Sequence, residues 1–383
     1  MKHSASLGRA GVSEEVQESK HMKESGKKRL RVGVIGTGYG AAVHIPGLKH
    51  LPEVEVAAVC ASHKDHALRA AHQHGITDHF DDVREMLQRM ELDAVTIAVP
   101  PANQHPISVA CVEHGVHMLC EKPMASSAAE ARDMHRLVEE ANLCHSVNFQ
   151  SRYLPAHLRF KQLIDQGFIG DLESVTVTGY RMPWETRRSL ERDWVDDGER
   201  SAGLLNAVGS EYVDLLRWCF GDYDAVCGAT TSPPAMRSQS KSRESSFSIL
   251  VRFASGASGT VHVVGTSTVT IGDEIVASGQ DGLLVLQSDG QLFGTRRDQH
   301  RVEPIEVDHF SERELAAVQH PRMLPFIILA NDWVRRILGA EDSSRLPSFH
   351  DGMKVQEVLH GVQRSERLSR WIDLSDKKWP VHG

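Results

Sequence analysis

Short apolar runs alternate with amphipathic segments through the first 150 residues. The runs, near residues 32–35, 54–60, 94–99, 117–120 and 144–149, have the length and the Val and Ile content of buried strands. Helix-type segments separate them, at residues 41–50, 64–74, 83–90, 106–114 and 126–142. This alternation predicts an α/β domain built on a doubly wound parallel sheet.

The pattern changes after about residue 151. Residues 172–181 alternate apolar and polar positions, and strands are predicted at 246–253, 259–265, 271–278 and 283–287 without helices between them. Helices are predicted at 153–166, 204–220, 324–338 and 351–370. Successive strands favour a large, mainly antiparallel sheet, so residues 30–150 and 151–383 are predicted to be an α/β and an α+β domain. Residues 1–29, rich in Ser, Glu and Lys, are predicted to be a disordered tail.

A glycine-rich turn connects the first strand to the first helix. Residues 32–46 read VGVIGTGYGAAVHIP, with Gly36 at the tight turn, Gly38 where backbone can approach a phosphate, and Ala41 where helix and strand pack closely. The N-terminus of the helix offers unpaired N–H groups and a partial positive charge. This order of elements predicts a Rossmann domain. The turn residues predicted to bind its dinucleotide are Gly36, Thr37, Gly38, Tyr39 and Gly40.

The end of the second strand bears on which nicotinamide cofactor is bound. Rossmann domains that prefer NAD place an Asp or Glu here, on the ribose 2′-hydroxyl. This chain has Ala61, Ser62, His63 and Lys64 instead. Because a hydroxyl, an imidazole and an ammonium group suit a 2′-phosphate, Ser62, His63 and Lys64 are predicted to select NADP, with NAD as the alternative.

Composition and charge narrow the class of protein. The 383 residues are 40% hydrophobic and 25% charged, as in ordinary globular proteins, and no apolar run approaches the length of a membrane span. The net charge of -8 disfavours nucleic acid and anionic membranes as partners. The six cysteines lack C-x-x-C spacing and the 22 histidines lack partners at zinc spacing, so we expect a cytoplasmic protein without a metal site.

The tripeptide Glu121-Lys122-Pro123 marks a second part of the expected site, because it follows the apolar run at 117–120. Ligands of doubly wound sheets bind at the carboxyl ends of the strands, where the glycine turn also lies. The segment PPANQH at 100–105 ends the run at 94–99.

Together, these motifs resemble the glucose–fructose oxidoreductase, inositol dehydrogenase and MocA-like family (Gfo/Idh/MocA). The resemblance covers about residues 30–375. It rests on the GTGYG turn with the following HIP, on PPANQH and EKP, on GLLNAVGSEYVDLLRW at 203–218 and on SFHDG at 348–352. It implies a Rossmann domain, a second domain for substrate binding and oligomerisation, and hydride transfer to or from NAD(P).

The resemblance also assigns roles. Lys122 would contact the substrate and the nicotinamide, and Glu121 would line the cofactor pocket. The residues implied to lie along the nucleotide are Pro100, Pro101, Asn103 and His105. The candidates for the substrate cleft, each of which could equally be structural, are Arg152, Arg181 and Trp184. A homodimer or homotetramer through the sheet of the second domain is implied as well.

The chain departs from the family in its active-site helix. Family members usually carry an Asp and, four residues later, a His that acts as general acid/base. Ala207 and Glu211 stand at these positions. A carboxylate can replace imidazole only if its surroundings adjust its pKa, and Lys122 nearby would lower that of Glu211.

The resulting expectation is an NAD(P)-dependent oxidoreductase acting on a hydroxyl or carbonyl carbon of a small polar, sugar-like or cyclitol-like substrate. Lys122 would polarise the oxygen and Glu211 would carry the proton. One alternative is a reductase of a C=N or conjugated C=C bond, for which the missing His matters less. Another is a non-catalytic NAD(P)-binding sensor or regulatory protein.

Overall fold

The structure, a computed structural model, describes residues 29–182, 203–232, 244–341 and 343–374. Its first sheet contains β1 (Leu30–Ile35), β2 (Val54–Cys60), β3 (Asp78–Phe80), β4 (Ala94–Ile97), β5 (His117–Cys120) and β6 (His145–Val147). All neighbours are parallel, in the order β3-β2-β1-β4-β5-β6. This confirms the doubly wound sheet, whose strand order reverses between β1 and β4 and opens a crevice there.

The helices of this domain cover the sheet between successive strands. They are α1 (a π-helical turn, Gly40–His44, continued by Ile45–Leu48), α2 (Lys64–His74), α3 (Val83–Arg89), α4 (Pro101–Glu113) and α5 (Ala128–Glu140). Helix α4 begins five residues earlier than predicted. Pro101 suits its first turn, where no N–H is needed, and the helix continues past Pro106 although that residue has no N–H to donate.

The described strands of the second sheet number nine and are mainly antiparallel, as predicted. They are β7 (Leu172–Tyr180), β8 (Tyr223–Thr231), β9 (Ser246–Phe253), β10 (Ser258–Val264), β11 (Gly272–Gly279), β12 (Gly282–Gln287), β13 (Leu292–Arg296), β14 (Glu303–Ile305) and β15 (Ile372–Asp373). Their order is β14-β13-β12-β11-β7-β10-β9-β8-β15, and among the described strands of this sheet only β7 and β10 pair in parallel. The alternation of apolar residues did not predict β3, β8, β13, β14 or β15.

Several of the helices outside the first domain pack on one face of this sheet. A 3₁₀ turn (Gln150–Tyr153) leads to α6 (Pro155–Asp165), followed by α7 (a π-helical turn, Leu205–Gly209, continued by Ser210–Phe220), α8 (Glu312–Ala316), α9 (Met323–Ile337) and α10 (Phe349–Leu368). In β9, Phe247, Ile249, Val251 and Phe253 point inward and are buried. Leu250 on the opposite face is 45% exposed.

The last helices return to the first domain. Phe326 and Trp333 of α9 are fully buried in a core cluster that includes Val34 and Ile45, while α10 packs beside α5 and β8. The ends of β1, β4 and β5 thereby face elements of the second domain. The domain limits at 30–150 and 151–383 stay predictions.

Two features are absent from the described ranges. None of their helices is both long enough and apolar enough to cross a membrane. Their His, Cys, Asp and Glu side chains form no group of three or more that could hold a metal ion.

Candidate active site

A cavity of about 1020 Å³ runs from the glycine turn to the sheet of the second domain. It passes the carboxyl ends of β2, β4 and β5 and ends against α6, α7, β11 and β12. Small-molecule and cofactor sites have volumes of about 300–1,000 Å³, so this cavity is large enough for an extended ligand. Its two parts are called here the nucleotide end, at the glycine turn, and the substrate end, at α6 and α7.

The glycine turn forms the nucleotide end with different roles for its residues. Gly36 has φ +107°, and a Cβ there would lie 2.1 Å from the carbonyl oxygen of Ala98. A Cβ on Gly38 would meet no protein atom within 4 Å. Gly40 packs against Val34, with 3.2 Å from its ideal Cβ to Cγ1, and does not line the cavity. The turn therefore leaves room for a phosphate at Gly38, as a dinucleotide site needs.

The end of β2 contributes Ser62, His63 and His66 to the cavity. His63 and His66 lie edge to face, with ring centroids 5.3 Å apart. Among the described residues that line this part of the cavity, none is an Asp or a Glu. Lys64, predicted here, begins α2 and does not line the cavity. His66 is exposed, and its spacing of three from His63 places both on one side of the first turn of α2.

The segment after β4 lies along the cavity only in part. Pro100, Pro101 and Asn103 line it. His105 does not, because it points away along α4 and its Nε2 lies 2.8 Å from Oδ2 of Asp133.

Glu121 is held by two partners from the first domain. His44 Nε2 lies 2.9 Å from Oε1 of Glu121, and Asn148 Nδ2 donates to the same oxygen at 2.5 Å. His44 is buried and stacked on Phe326 of α9, with ring centroids 4.4 Å apart. The carboxylate is therefore fixed at the edge of the cavity.

Lys122 spans the two domains. Its Nζ donates to the carbonyl of Ala207 at 2.8 Å and lies 3.1 Å from Oε1 of Glu211. Both side chains are mostly buried, with 10% and 17% exposed, and both line the cavity. Ala207 lies in the π-helical turn that opens α7, so the helix start supplies an acceptor and its next turn supplies the carboxylate.

Glu211 stays ionised in this setting. Burial raises its pKa, but the Lys122 ammonium, a 2.6 Å hydrogen bond from Ser151 Oγ to Oε2 and the charge of Arg322 outweigh burial, so the pKa falls below 4.5. Both carboxylate oxygens are thus engaged by protein donors.

The sheet floor at the substrate end carries a second ion pair. Arg181 at the end of β7 donates through Nε to Asp273 Oδ1 at 3.1 Å and pairs with Oδ2 of the same carboxylate. Its Nη2 also donates to Tyr212 Oη at 2.9 Å. All three line the cavity, and the role of Arg181 in substrate binding stays a prediction.

Arg152 does not lie in the predicted cleft. Its guanidinium is 2% exposed and bonds Asp214 in bidentate fashion at 2.7 and 2.5 Å, with Asp351 at 3.3 Å. The arginine therefore fixes α7 and α10 from within the core, and no part of it lines the cavity. Trp184 lies outside the described residues.

Several side chains of the cavity escaped the sequence analysis. Gln150 Nε2 donates to Tyr39 Oη at 2.9 Å and links the 3₁₀ turn to the glycine turn. The other side chains of this kind that line the substrate end include Ser151, His157, Tyr212, Asp273 and Arg322. Their elements meet only in the folded chain, and no local motif marks them.

Comparisons with known proteins agree with this architecture. A family model described as "Oxidoreductase family, NAD-binding Rossmann fold" matches residues 30–149, and the GFO/IDH/MocA C-terminal domain matches residues 157–285. Levoglucosan dehydrogenase of Pseudarthrobacter phenanthrenivorans is 25% identical over 91% of this chain and 98% of its own. The scyllo-inositol 2-dehydrogenase (NADP(+)) of Bacillus subtilis is 25% identical over 51% of this chain and 53% of its own.

The solved structures show the same fold. A levoglucosan dehydrogenase in complex with NADH and L-sorbose aligns with a TM-score of 0.79 at 23% identity, over 91% of this chain and 99% of the other. From its two matched domain models and this shared architecture, the chain belongs to the Gfo/Idh/MocA family of oxidoreductases, with an NAD-binding Rossmann domain followed by the family's C-terminal domain.

Proposed function

We propose that this oxidoreductase interconverts a hydroxyl and a carbonyl group on an uncharged, polyhydroxylated substrate of sugar-like or cyclitol-like size, with NADP as the preferred cofactor. The observation that carries the proposal is the Lys122–Glu211 pair. It faces the cavity where the ends of the first sheet meet α7.

Charge pairing at the substrate end supports an uncharged substrate. Lys122 already has the Glu211 carboxylate as its counter-ion, and Arg181 has Asp273. An acidic substrate would have to compete with these buried carboxylates for the cations. Hydroxyl groups can instead bond the remaining donor and acceptor positions without disturbing either pair. The named substrates of two relatives, levoglucosan and scyllo-inositol, are also uncharged polyols.

The residues of the chain divide the chemistry between them. A bound nicotinamide would accept or supply the hydride. Lys122 would donate a hydrogen bond to the reacting oxygen and stabilise the negative charge that develops there. Glu211 would hold the lysine charged and oriented and relay the hydroxyl proton between the site and solvent. Glu121, fixed by His44 and Asn148, would border the nicotinamide.

The nucleotide end supports the cofactor assignment. The open space at Gly38 and the turn at Gly36 fit a pyrophosphate, while Pro100, Pro101 and Asn103 would border the nucleotide. With no carboxylate among the described residues that line the cavity at the end of β2, Ser62, His63 and His66 would bind a 2′-phosphate. The relatives include one protein named for NADP(+) and one solved in complex with NADH, so both cofactors occur among them.

A second reaction class has one observation in its favour. Both oxygens of Glu211 are engaged by donors, which weakens the carboxylate as a proton acceptor. Reduction of a C=N or conjugated C=C bond would depend less on such an acceptor.

Oligomer state and compartment stay predictions. The outer face of the second sheet exposes Leu250 and Trp371, with the guanidinium of Arg252 5.5 Å from the Trp371 ring. This mixed apolar face would suit a homodimer or homotetramer contact, and light scattering of Leu250→Asp against the parent protein tests that assignment. The predicted cytoplasmic location rests on the sequence.

The central experiment follows absorbance at 340 nm. The purified protein is incubated with NADP⁺ or NAD⁺ and levoglucosan, scyllo-inositol or other uncharged polyols, and separately with sugar acids of matched size. We expect reduction of NADP⁺ by a polyol and not by an acid. Turnover restricted to acids would overturn the substrate class. Turnover restricted to imines or enones supplied with NADPH would replace the reaction with the alternative.

A further inference from the structure

The polar side chains described at the substrate end bond one another, and the proposed chemistry assigns no role to one imidazole ring, that of His157. Lys122 bonds Ala207 and Glu211, Glu211 also accepts from Ser151, and Arg181 is paired with Asp273 and Tyr212. His157 lies among these groups, as the third residue of α6. Its Nδ1 is buried and has no hydrogen-bond partner among the described residues.

We propose that His157 binds a hydroxyl group of the substrate through its imidazole ring and thereby sets the orientation of the substrate beside Lys122. The proposal rests on the proposed function, since it assigns a further binding residue to that site. His157 is a binding residue here, and the proton relay stays with Glu211.

The unpaired nitrogen is the first reason. A buried polar atom without a partner has lost its hydrogen bonds to water without replacement, and buried polar groups in proteins are normally satisfied. His157 lines the cavity, so a substrate hydroxyl that reaches the ring can supply a partner for one of its nitrogens. A histidine that served only to fill space would be replaced without loss by an apolar side chain of similar size.

The charge state is the second reason. Burial lowers the pKa of His157 to about 4, and the carboxylates of Glu211 and Asp273 only partly offset this. The ring is therefore neutral near pH 7, with one N–H donor and one acceptor nitrogen. A hydroxyl group can both donate and accept, which matches this pair of functions. A carboxylate or phosphate would find no positive charge on this side chain.

The surroundings are the third reason. Glu211 belongs to α7 and Asp273 to β11, so His157 lies between the proton relay and the sheet floor. A polyol whose reacting oxygen lies at Lys122 can therefore present a second hydroxyl to α6. The residue would discriminate between polyols by the position or configuration of that hydroxyl.

Two substitutions at one position test the assignment. His157→Leu keeps the approximate volume and removes both ring nitrogens, whereas His157→Asn keeps a polar atom near the position of Nδ1. With the best polyol of the panel, we expect His157→Leu to raise KM about 10-fold, as for one lost hydrogen bond, with kcat changed much less. His157→Asn should stay within about 3-fold of the parent KM.

Stability and direct binding separate this role from a structural one. Without ligand, His157→Leu should melt at or above the parent temperature because it removes an unpaired buried nitrogen, and NADPH affinity should be unchanged. Calorimetric titration of the NADPH complex with levoglucosan or scyllo-inositol gives the polyol Kd without turnover. His300→Leu, on an exposed position, is the matched control and should change nothing.

The outcomes are distinct. An unchanged KM and polyol Kd in His157→Leu, with a parent protein that turns over polyols, would overturn the role of His157 and leave the proposed function standing. A lower melting temperature with unchanged KM would assign His157 to the fold. A parent protein that neither binds nor oxidises any polyol would overturn the proposed function and this assignment together.

Discussion

The two ends of the cavity are lined by different kinds of residues. At the nucleotide end, the walls are backbone and small or rigid residues, such as Gly36, Gly38 and Pro100. At the substrate end, they are ionised side chains held in pairs, Lys122 with Glu211 and Arg181 with Asp273. The nucleotide end therefore binds its ligand through a complementary surface and backbone N–H groups. The substrate end instead presents charged side chains that already have counter-ions.

This difference predicts how each end responds to substitution. A side chain added at the nucleotide end should block the cofactor and leave the fold intact wherever space is open. A side chain removed at the substrate end should leave a buried charge without its partner, so chemistry and stability change together. The following substitutions test these expectations.

The largest effect is expected for Lys122→Met. The substitution removes the donor to the reacting oxygen, and losses of this kind are about 10²–10⁴-fold in rate. We expect kcat to fall by that factor while the NADPH dissociation constant changes little. Lys161→Met, at a lysine paired with Asp165 within α6, is the matched control and should retain activity. Normal turnover in Lys122→Met would show that Lys122 takes no part in the reaction.

Arg152→Met should have the largest effect on stability. It leaves Asp214 buried and unpaired in the core, for which about 3–5 kcal/mol of unfolding free energy is the usual loss. Arg136→Met breaks surface pairs with Asp133 and Glu140 and should be neutral in urea unfolding. Equal midpoints and slopes for the two variants would show that the buried network does not hold α7.

Gly38→Val tests the nucleotide end. The new side chain has open space, so the variant should fold and melt normally, but it would occupy the place of the pyrophosphate. Fluorescence titration should show NADPH affinity reduced by about 100-fold or more, as for a blocked site. Gly36→Ala is the contrasting variant, since its Cβ would lie 2.1 Å from the Ala98 oxygen and should lower stability. Unchanged NADPH binding in Gly38→Val would place the cofactor elsewhere.

The pH profile sharpens the role of Glu211. Burial raises the pKa of Glu211, but Lys122, Ser151 and Arg322 lower it below 4.5. The charged carboxylate therefore contributes to activity above that pH, and its contribution is lost as the pH falls through the lowered pKa. The parent profile of kcat/KM should therefore show no acid limb from this group above pH 4.5. Glu211→His introduces a group that ordinarily titrates near about 6.5 and should move the acid limb toward neutrality. If the pH profiles of the parent and of Glu211→His coincide, Glu211 does not relay the proton.

The smallest effect is expected for Ser62→Asp. A carboxylate at the end of β2 should repel a 2′-phosphate and accept from a ribose hydroxyl, which shifts the ratio of NADPH to NADH affinity toward NADH by about 10-fold. His66→Leu should lower the affinity for NADPH and leave that for NADH unchanged. Lys64→Ala, at a residue that does not line the cavity, should change NADPH affinity less. A parent protein that already binds NADH more tightly would reverse the cofactor assignment.

Most of the fold could be predicted from the sequence, because buried strands leave long apolar runs and amphipathic helices leave a periodic pattern. The short or polar strands β3, β14 and β15 could not, because two or three residues carry too little pattern. The early start of α4 was missed because Pro106 resembles a helix beginning, although Pro101 occupies that position.

The candidate site, like the fold, could be predicted from the sequence only in part. By itself, the sequence determined the glycine turn, the EKP tripeptide and the absence of an acid at residues 61–63, because each is a contiguous stretch whose chemistry is local. Only the tertiary structure decided that Arg152 is a buried partner of Asp214, that His66 replaces Lys64 in the cavity, and that His157 faces the substrate end. Those contacts join residues from separate elements. Which side of a helix meets a cavity depends on how the two domains pack, and that packing is set by the summed burial of all their apolar faces.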